Sequence, residues 1–98
     1  MRIVTYKRIQ EFSKKHAAAE IPLNVWYYTT NKESWRNLNE IRQTFNSVDY
    51  VGNNRYAFNI KGNTYRLIVI ISFNAQKVYI RFIGTHSEYD KINDIKNI

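Results

Sequence analysis

Arg55-Tyr56-Ala57-Phe58-Asn59-Ile60-Lys61-Gly62-Asn63-Thr64-Tyr65-Arg66-Leu67-Ile68-Val69-Ile70-Ile71-Ser72-Phe73 is the stretch that decides the fold. Arg55 to Ile60 is rich in aromatic and apolar residues and reads as a strand. Thr64 to Phe73 reads as the longest strand of the chain. Between them, Gly62-Asn63 puts glycine first, as a type II′ hairpin turn requires. A two-residue loop there pairs Lys61 with Thr64, Asn59 with Arg66 and Ala57 with Ile68. Asn74-Ala75-Gln76 turns the chain again, and Lys77 to Ile83 forms the next strand. With an even-length second turn, Tyr56, Phe58, Ile60, Tyr65, Leu67, Val69, Ile71, Phe73, Val78, Ile80 and Phe82 share one apolar face. The opposite face collects Arg55, Asn59, Arg66, Lys77, Tyr79 and Arg81, with Ile68, Ile70 and Ile83 among them. That face is too basic for a core and too apolar for solvent alone.

Upstream of the hairpin the pattern is helical. Arg2-Ile3-Val4-Thr5 is a short β-branched opening strand, and Thr5 is placed to cap a helix from about Tyr6 to Lys15. Ile9 and Phe12 lie on one face of that helix, and His16 falls near its end, where a cation suits the dipole. Pro22 fits the first turn of a second helix that carries Leu23, Trp26 and Tyr27. Thr30-x-x-Glu33 has the spacing of a capping box. Trp35, Leu38, Ile41, Arg42 and Phe45 trace a third stripe. The two Trp read as anchors between helices and sheet rather than as base-stacking platforms. Val48 to Val51 is a weak strand, and the polar tail from Ile92 to Ile98 reads as frayed or held by a partner. The expected class is α+β: an N-terminal strand and helices packed on one face of a mainly antiparallel sheet, in one domain spanning 1–98.

Charge narrows the function. The chain has 98 residues and a formal net charge of +7. No Asp or Glu occurs between Asp49 and Glu88, whereas Arg55, Lys61, Arg66, Lys77 and Arg81 all fall there. A small domain this basic is expected to meet an anion, such as nucleic acid, an acidic partner or a membrane surface. There is no Cys, which excludes disulfides and thiolate metal sites, and two His far apart in sequence disfavour zinc. No cofactor is expected. The N-terminus lacks the long apolar run of a signal peptide, and no segment approaches the roughly 20 apolar residues of a membrane span. A cytoplasmic protein fits this pattern.

The acid-free stretch closes on Thr85-His86-Ser87-Glu88-Tyr89-Asp90. Cleavage of RNA by its own 2′-OH needs a base for the 2′ proton, cations for the pentavalent transition state, and an acid for the 5′ leaving oxygen. His titrates near neutrality and serves as either acid or base. His86 is the one His of the β region, Tyr89 lies three residues on, and both follow the strand that carries Arg81. Equally, His86 could be a structural loop residue, and Glu88 and Asp90 could bridge strand cations or cap a helical turn. No Ser-His-Asp order, phosphate-cradling Gly-rich loop or paired-carboxylate metal pattern is present.

The segment Phe58-Asn59-Ile60-Lys61-Gly62-Asn63-Thr64-Tyr65-Arg66-Leu67-Ile68 resembles the central hairpin of the HigB family of bacterial toxin–antitoxin toxins. Tyr79-Ile80-Arg81-Phe82-Ile83-Gly84-Thr85-His86-Ser87-Glu88-Tyr89-Asp90 is similar to that family's C-terminal signature. Phe12, His16, Pro22-Leu23 and Trp26 look like its helical part. The resemblance implies a RelE-like fold and a ribosome-associated, metal-independent mRNA endonuclease that stops translation. It also implies a HigA antitoxin with a helix-turn-helix domain, through which the complex would bind operator DNA. Under that resemblance His86, Tyr89, Arg66 and Arg81 are the candidate catalytic residues. Arg55, Asn59, Lys61, Asn63, Lys77 and Tyr79 are the candidate RNA-binding residues, with no metal ligands and no membrane partner. Asn63 has a second explanation in the turn itself, and Asn59 in pairing with Arg66. The competing readings are a non-catalytic RNA- or DNA-binding module on the same basic face, and an interaction subunit for an acidic protein.

Overall fold

The computed structural model describes residues 1–98. It opens with β1 (Arg2–Val4), followed by helices α1 (Tyr6–Lys15), α2 (Glu20–Lys32) and α3 (Leu38–Thr44). Four strands come next: β2 (Val48–Gly52), β3 (Arg55–Ile60), β4 (Tyr65–Ser72) and β5 (Lys77–Thr85). A short helix, α4 (His86–Asp90), leads into the tail. The strands form a five-stranded sheet in the order β1-β5-β4-β3-β2. β1 pairs with β5 in parallel, and the other neighbours are antiparallel. The class is therefore the α+β arrangement that the sequence predicts.

The hairpin register is the one dictated by Gly62-Asn63. Asn59 pairs with Arg66, Ala57 with Ile68, and Ile60 with Tyr65. The Thr64 N–H donates to the Lys61 carbonyl at 3.1 Å, and Gly62 has φ +62°. The second loop holds four residues, between Ser72 and Lys77. Its even length aligns Ile71 with Val78 and Val69 with Ile80 on the helix-facing side.

The predicted alternation fails at Arg81. Ile68 pairs with Phe82 but Val69 pairs with Ile80, so Arg81 is an extra residue in β5. A bulge of this kind exchanges the two faces for everything beyond it. Phe82 therefore moves to the outer face beside Ile68, and Ile83 joins the core side, pairing with Leu67. This corrects the assignment of both residues.

The core lies between the helices and the inner face of the sheet. Trp26 and Trp35 are each 2% exposed and both approach Phe58, at ring-centroid distances of 5.5 and 6.4 Å. Trp26 anchors α2 to the sheet, as its amphipathic setting predicts, whereas Trp35 packs on the sheet from the connection between α2 and α3 and not from a helix. Burial of a large apolar side chain contributes about 1.5–3 kcal/mol, so truncating Phe58 would remove the contact surface of both Trp. Local capping is less regular than the sequence suggests. Thr5 has φ +74° and donates its hydroxyl to the Val4 carbonyl, so it turns the chain into α1 without capping it. Thr30 does not open a helix either: α2 continues through it to Lys32, and Thr30 is fully buried. The cap of α3 is Asn37, whose side chain accepts from the Glu40 N–H at 3.0 Å.

Candidate functional site

The site grows from the place where β4, β5 and the hairpin tip meet α4. Thr85 ends β5 and caps α4 in a reciprocal box. The Glu88 N–H donates to the Thr85 hydroxyl at 3.2 Å, and the Thr85 N–H donates to the Glu88 carboxylate at 2.8 Å. That backbone bond is the main reason the Glu88 carboxyl sits below its ordinary pKa. Burial opposes the shift, while the Thr85 hydroxyl, His16 and Lys91 add to it. The His86 N–H donates to the Thr64 carbonyl at 3.2 Å, which ties α4 to the hairpin. Gly84 permits the close packing: a Cβ there would fall 2.5 Å from the Phe82 ring and 3.0 Å from Glu88 Oε1.

This frame brings His86, Tyr89 and Arg66 together. His86 Nδ1 lies 3.1 Å from Asp90 Oδ2. With the Asp90 carboxylate as acceptor, Nδ1 is the donor of this contact and Nε2 is the ring nitrogen left for a second partner. The Tyr89 ring centroid is 6.2 Å from that of His86. The Arg66 guanidinium lies 4.7 Å from the Tyr89 centroid, a cation–π arrangement. From the other side Asp49 Oδ2 approaches Arg66 Nη1 at 3.6 Å. The Arg66 side chain is only 13% exposed, and its Nε has no hydrogen-bond partner. Across the ladder, Asn59 donates its amide to the Ser47 hydroxyl, while its buried Oδ1 is likewise unpartnered.

The other predicted residues divide into three groups. Lys61 and Asn63 are exposed at the hairpin tip, beside the Thr64 carbonyl that holds α4. Lys77 and Tyr79 lie towards the opposite end of β5, paired with Ser72 and Ile70. At about 3.3 Å rise per residue, Lys77 stands roughly 25 Å from α4, so these two are not part of the same cluster. Arg55 and Arg81 are engaged by the tail. Arg55 Nη2 donates to the Ile98 carbonyl at 2.8 Å, and Arg81 Nε donates to the same oxygen at 3.2 Å. Asn53 adds a bond to the Lys96 carbonyl at 3.2 Å.

The tail is therefore folded back over the outer face, with its last residue bridging β3 and β5 above β4. Ala57 and Ile68 are 1% and 0% exposed yet stand outside the helix-side core. Asp49, Ser47 and Asp90 complete the cluster and were not singled out as site residues from sequence. The usable signal for Asp49 was its place on the β2 strand beside Ala57, but β2 carried too weak a pattern to set its register.

A RelE-like toxin is the class to which this helix-on-sheet frame conforms. The family model described as "HigB_toxin, RelE-like toxic component of a toxin-antitoxin system" matches residues 19–92. The chain is 30% identical over 93 residues to the mRNA interferase toxin HigB of Escherichia coli (strain K12), covering 92% of this chain and 88% of the relative. It is 26% identical over 94 residues to the mRNA interferase HigB of Escherichia coli O6:H1, covering 94% and 91%. The chain belongs to the HigB family of toxin–antitoxin toxins.

Proposed function

We propose that this chain is an endoribonuclease that cuts mRNA on the ribosome and so stops translation, using the substrate's own 2′-OH and no metal ion. The observation that carries this reading is the approach of the Arg66 cation, the Tyr89 ring and the Asp90-oriented His86 at one end of a basic sheet face. The names of the relatives, which describe mRNA interferases, point the same way.

In the proposed reaction the scissile phosphate sits against Arg66, with Lys61 and Asn59 holding the neighbouring backbone. A base removes the 2′ proton, O2′ forms a bond to phosphorus, and the P–O5′ bond breaks. An acid then delivers a proton to O5′, leaving a 2′,3′-cyclic phosphate and a 5′-hydroxyl. His86 Nε2 and the Tyr89 hydroxyl are the two groups suited to these transfers. Arg66 offsets the negative charge that accumulates on the phosphorane oxygens. Arg81 joins through the part of its guanidinium that the tail leaves free, and Arg55 binds RNA only where the tail yields. Lys77 and Tyr79 lie too far away to act on the same phosphate, and would meet a strand only as it runs along the sheet.

The partner in this reading is a HigA-like antitoxin with a helix-turn-helix domain, through which the complex reaches operator DNA. The compartment is the cytoplasm. No helix is long and apolar enough to cross a membrane. The test is cleavage of a ribosome-bound mRNA by wild type and by His86→Gln. The reading expects 2′,3′-cyclic phosphate ends from wild type, and cleavage lowered by about 10²–10⁴ in the variant with ribosome binding retained. Equal cleavage by a folded His86→Gln removes His86 from the mechanism. Absence of cleavage by folded wild type leaves a binding module.

A further inference from the structure

β5 is covered by a strand along only part of one edge. β1 pairs with it at Lys77, Val78 and Tyr79, whereas β5 itself runs on to Thr85. Beyond Tyr79 that edge is flanked by α1. A groove of about 380 Å³ lies between the two, lined by Arg8, Glu11, Phe12 and Lys15 of α1 and by Ile83 of β5. Glu11, Phe12 and Lys15 follow Arg8 by three, four and seven residues, so all four share one helix face. Arg8, Glu11 and Lys15 are exposed, and none of them forms an ion pair. Nothing in the site described above uses them.

The groove connects two places that the site does use. At one end Arg8 Nη1 donates to the Arg81 carbonyl at 2.7 Å, on the bulge of β5. At the other end His16 follows Lys15. Its ring stacks on Phe12 at 4.4 Å and meets Tyr65 edge-on at 5.7 Å. Tyr65 pairs with Thr85, the cap of α4. The groove thus runs from the rim of the basic face to the foot of the helix that carries His86 and Tyr89.

Three features select its occupant. Cations outnumber acids, two to one in the lining, and α1 as a whole sets Lys7, Arg8, Lys14 and Lys15 against Glu11 alone. A protein strand added to β5 would need the backbone groups of the free edge, and Arg8 already takes the Arg81 carbonyl. A cationic groove with an aromatic wall, continuous with a second basic surface, suits single-stranded nucleic acid. Arg8 and Lys15 stand about 10 Å apart along the helix axis, the rise of roughly three stacked nucleotides.

We propose that the groove between α1 and β5 is a second RNA subsite, in which Arg8 and Lys15 hold phosphates of the mRNA strand beyond the scissile one and Phe12 packs against a sugar or base. The inference rests on the RNA-binding part of the proposed function and is independent of which groups serve as acid and base.

The test measures the Kd of the full chain for a 2′-O-methyl RNA of about ten nucleotides, a length within the usual single-strand site sizes. Its blocked 2′-oxygens prevent cleavage. Lys15→Ala should weaken binding several-fold and make the slope of log K against log salt shallower by about 0.7, the loss of one phosphate contact. Lys14→Ala removes the same charge one residue away, but Lys14 lines the groove towards α2 with Glu20, so its Kd should stay close to wild type. Glu11→Gln removes the acid of the subsite and should tighten binding. All three positions are exposed, so circular dichroism should match wild type. Equal losses in Lys14→Ala and Lys15→Ala would reduce the effect to overall charge and overturn the inference. Unchanged RNA affinity in both Lys15→Ala and Glu11→Gln, with wild type binding RNA, overturns it alone. Folded wild type that binds no RNA overturns the proposed function with it. Polyglutamate binding lost in Lys15→Ala while RNA binding holds would assign the groove to an acidic protein. Weaker ribosome binding with unchanged oligonucleotide affinity would assign it to the ribosome, and either result overturns the proposal.

Discussion

Replacing Arg66 with Ala separates a catalytic cation from a structural one. The structural loss can be built from the contacts. Stacking of the guanidinium on Tyr89 is worth about 0.5–1 kcal/mol. The ion pair with Asp49 is long, at 3.6 Å, and Asp49 is 68% exposed. Such a pair contributes roughly 0–1 kcal/mol. The buried, unpartnered Nε works in the other direction, because its removal recovers some desolvation. The net cost is therefore at most about 2 kcal/mol, against a total stability of roughly 5–15 kcal/mol for a domain of this size. The fold should persist, with the melting temperature lowered by at most about 15 °C. The catalytic loss is of another order: removing one preorganised donor to a developing oxyanion lowers the rate by about 10²–10³. Single-turnover cleavage of ribosome-bound mRNA, measured below the melting range, keeps the two effects apart. Arg66→Lys keeps the charge but loses the planar stack and fork, and should fall between wild type and Ala. A folded Arg66→Ala with wild-type cleavage refutes the placement of Arg66 in the site. An unfolded Arg66→Ala refutes the estimate of its structural role.

Asp90→Asn should reduce cleavage less than His86→Gln, since it loosens the ring and its tautomer without removing the imidazole; equal rates for Asp90→Asn and wild type would show that the 3.1 Å contact does not orient His86. Removing residues 94–98 frees Arg55 and Arg81 from the Ile98 carbonyl. The affinity for single-stranded RNA should rise, and the slope of log K against log salt should steepen by about 1.4, the value for two more phosphate contacts; an unchanged slope would mean that the tail does not compete with RNA. Glu88 has a lowered pKa in the folded chain, so its cap stabilises α4 fully above the unfolded Glu value of about 4.3 and is lost as pH falls through the lower folded value. Chemical shifts of the Thr85 amide should titrate with a midpoint below the ordinary Glu range, and a midpoint at or above that range would contradict the capping geometry.

Much of this architecture is legible in the residues because local rules agree with tertiary ones. The turn Gly62-Asn63 and the alternation on each side of it set the hairpin register that places Asn59 opposite Arg66. Tyr6 to Lys15 has the bounds of α1 as read from its polar and apolar faces. The bulge at Arg81 left no trace, because Phe82 and Ile83 are both apolar and either satisfies a core position. Thr30 misled for a different reason: its spacing to Glu33 imitates a cap, but tertiary burial carries α2 straight through it. On the outer face, Ile68 and Ile70 stood out as apolar residues among cations, and the tail reaches that face at Arg55 and Arg81. Ile92, Ile95 and Ile98 are too sparse to announce a packed segment from sequence alone. His86 and Tyr89 were visible as a pair beside a basic strand. The contribution of Asp49 depended on strand register, and that of Asp90 on the helical turn that brings it back to His86.

The most direct measurement of the central claim is primer extension on a reporter mRNA after induced expression of the wild-type chain, beside Arg66→Ala at matched levels. The account predicts growth arrest and new mRNA ends within translated sequence for wild type, and neither for the folded variant. Intact mRNA in the presence of soluble, folded wild-type protein, or the same new ends from both chains, would contradict it.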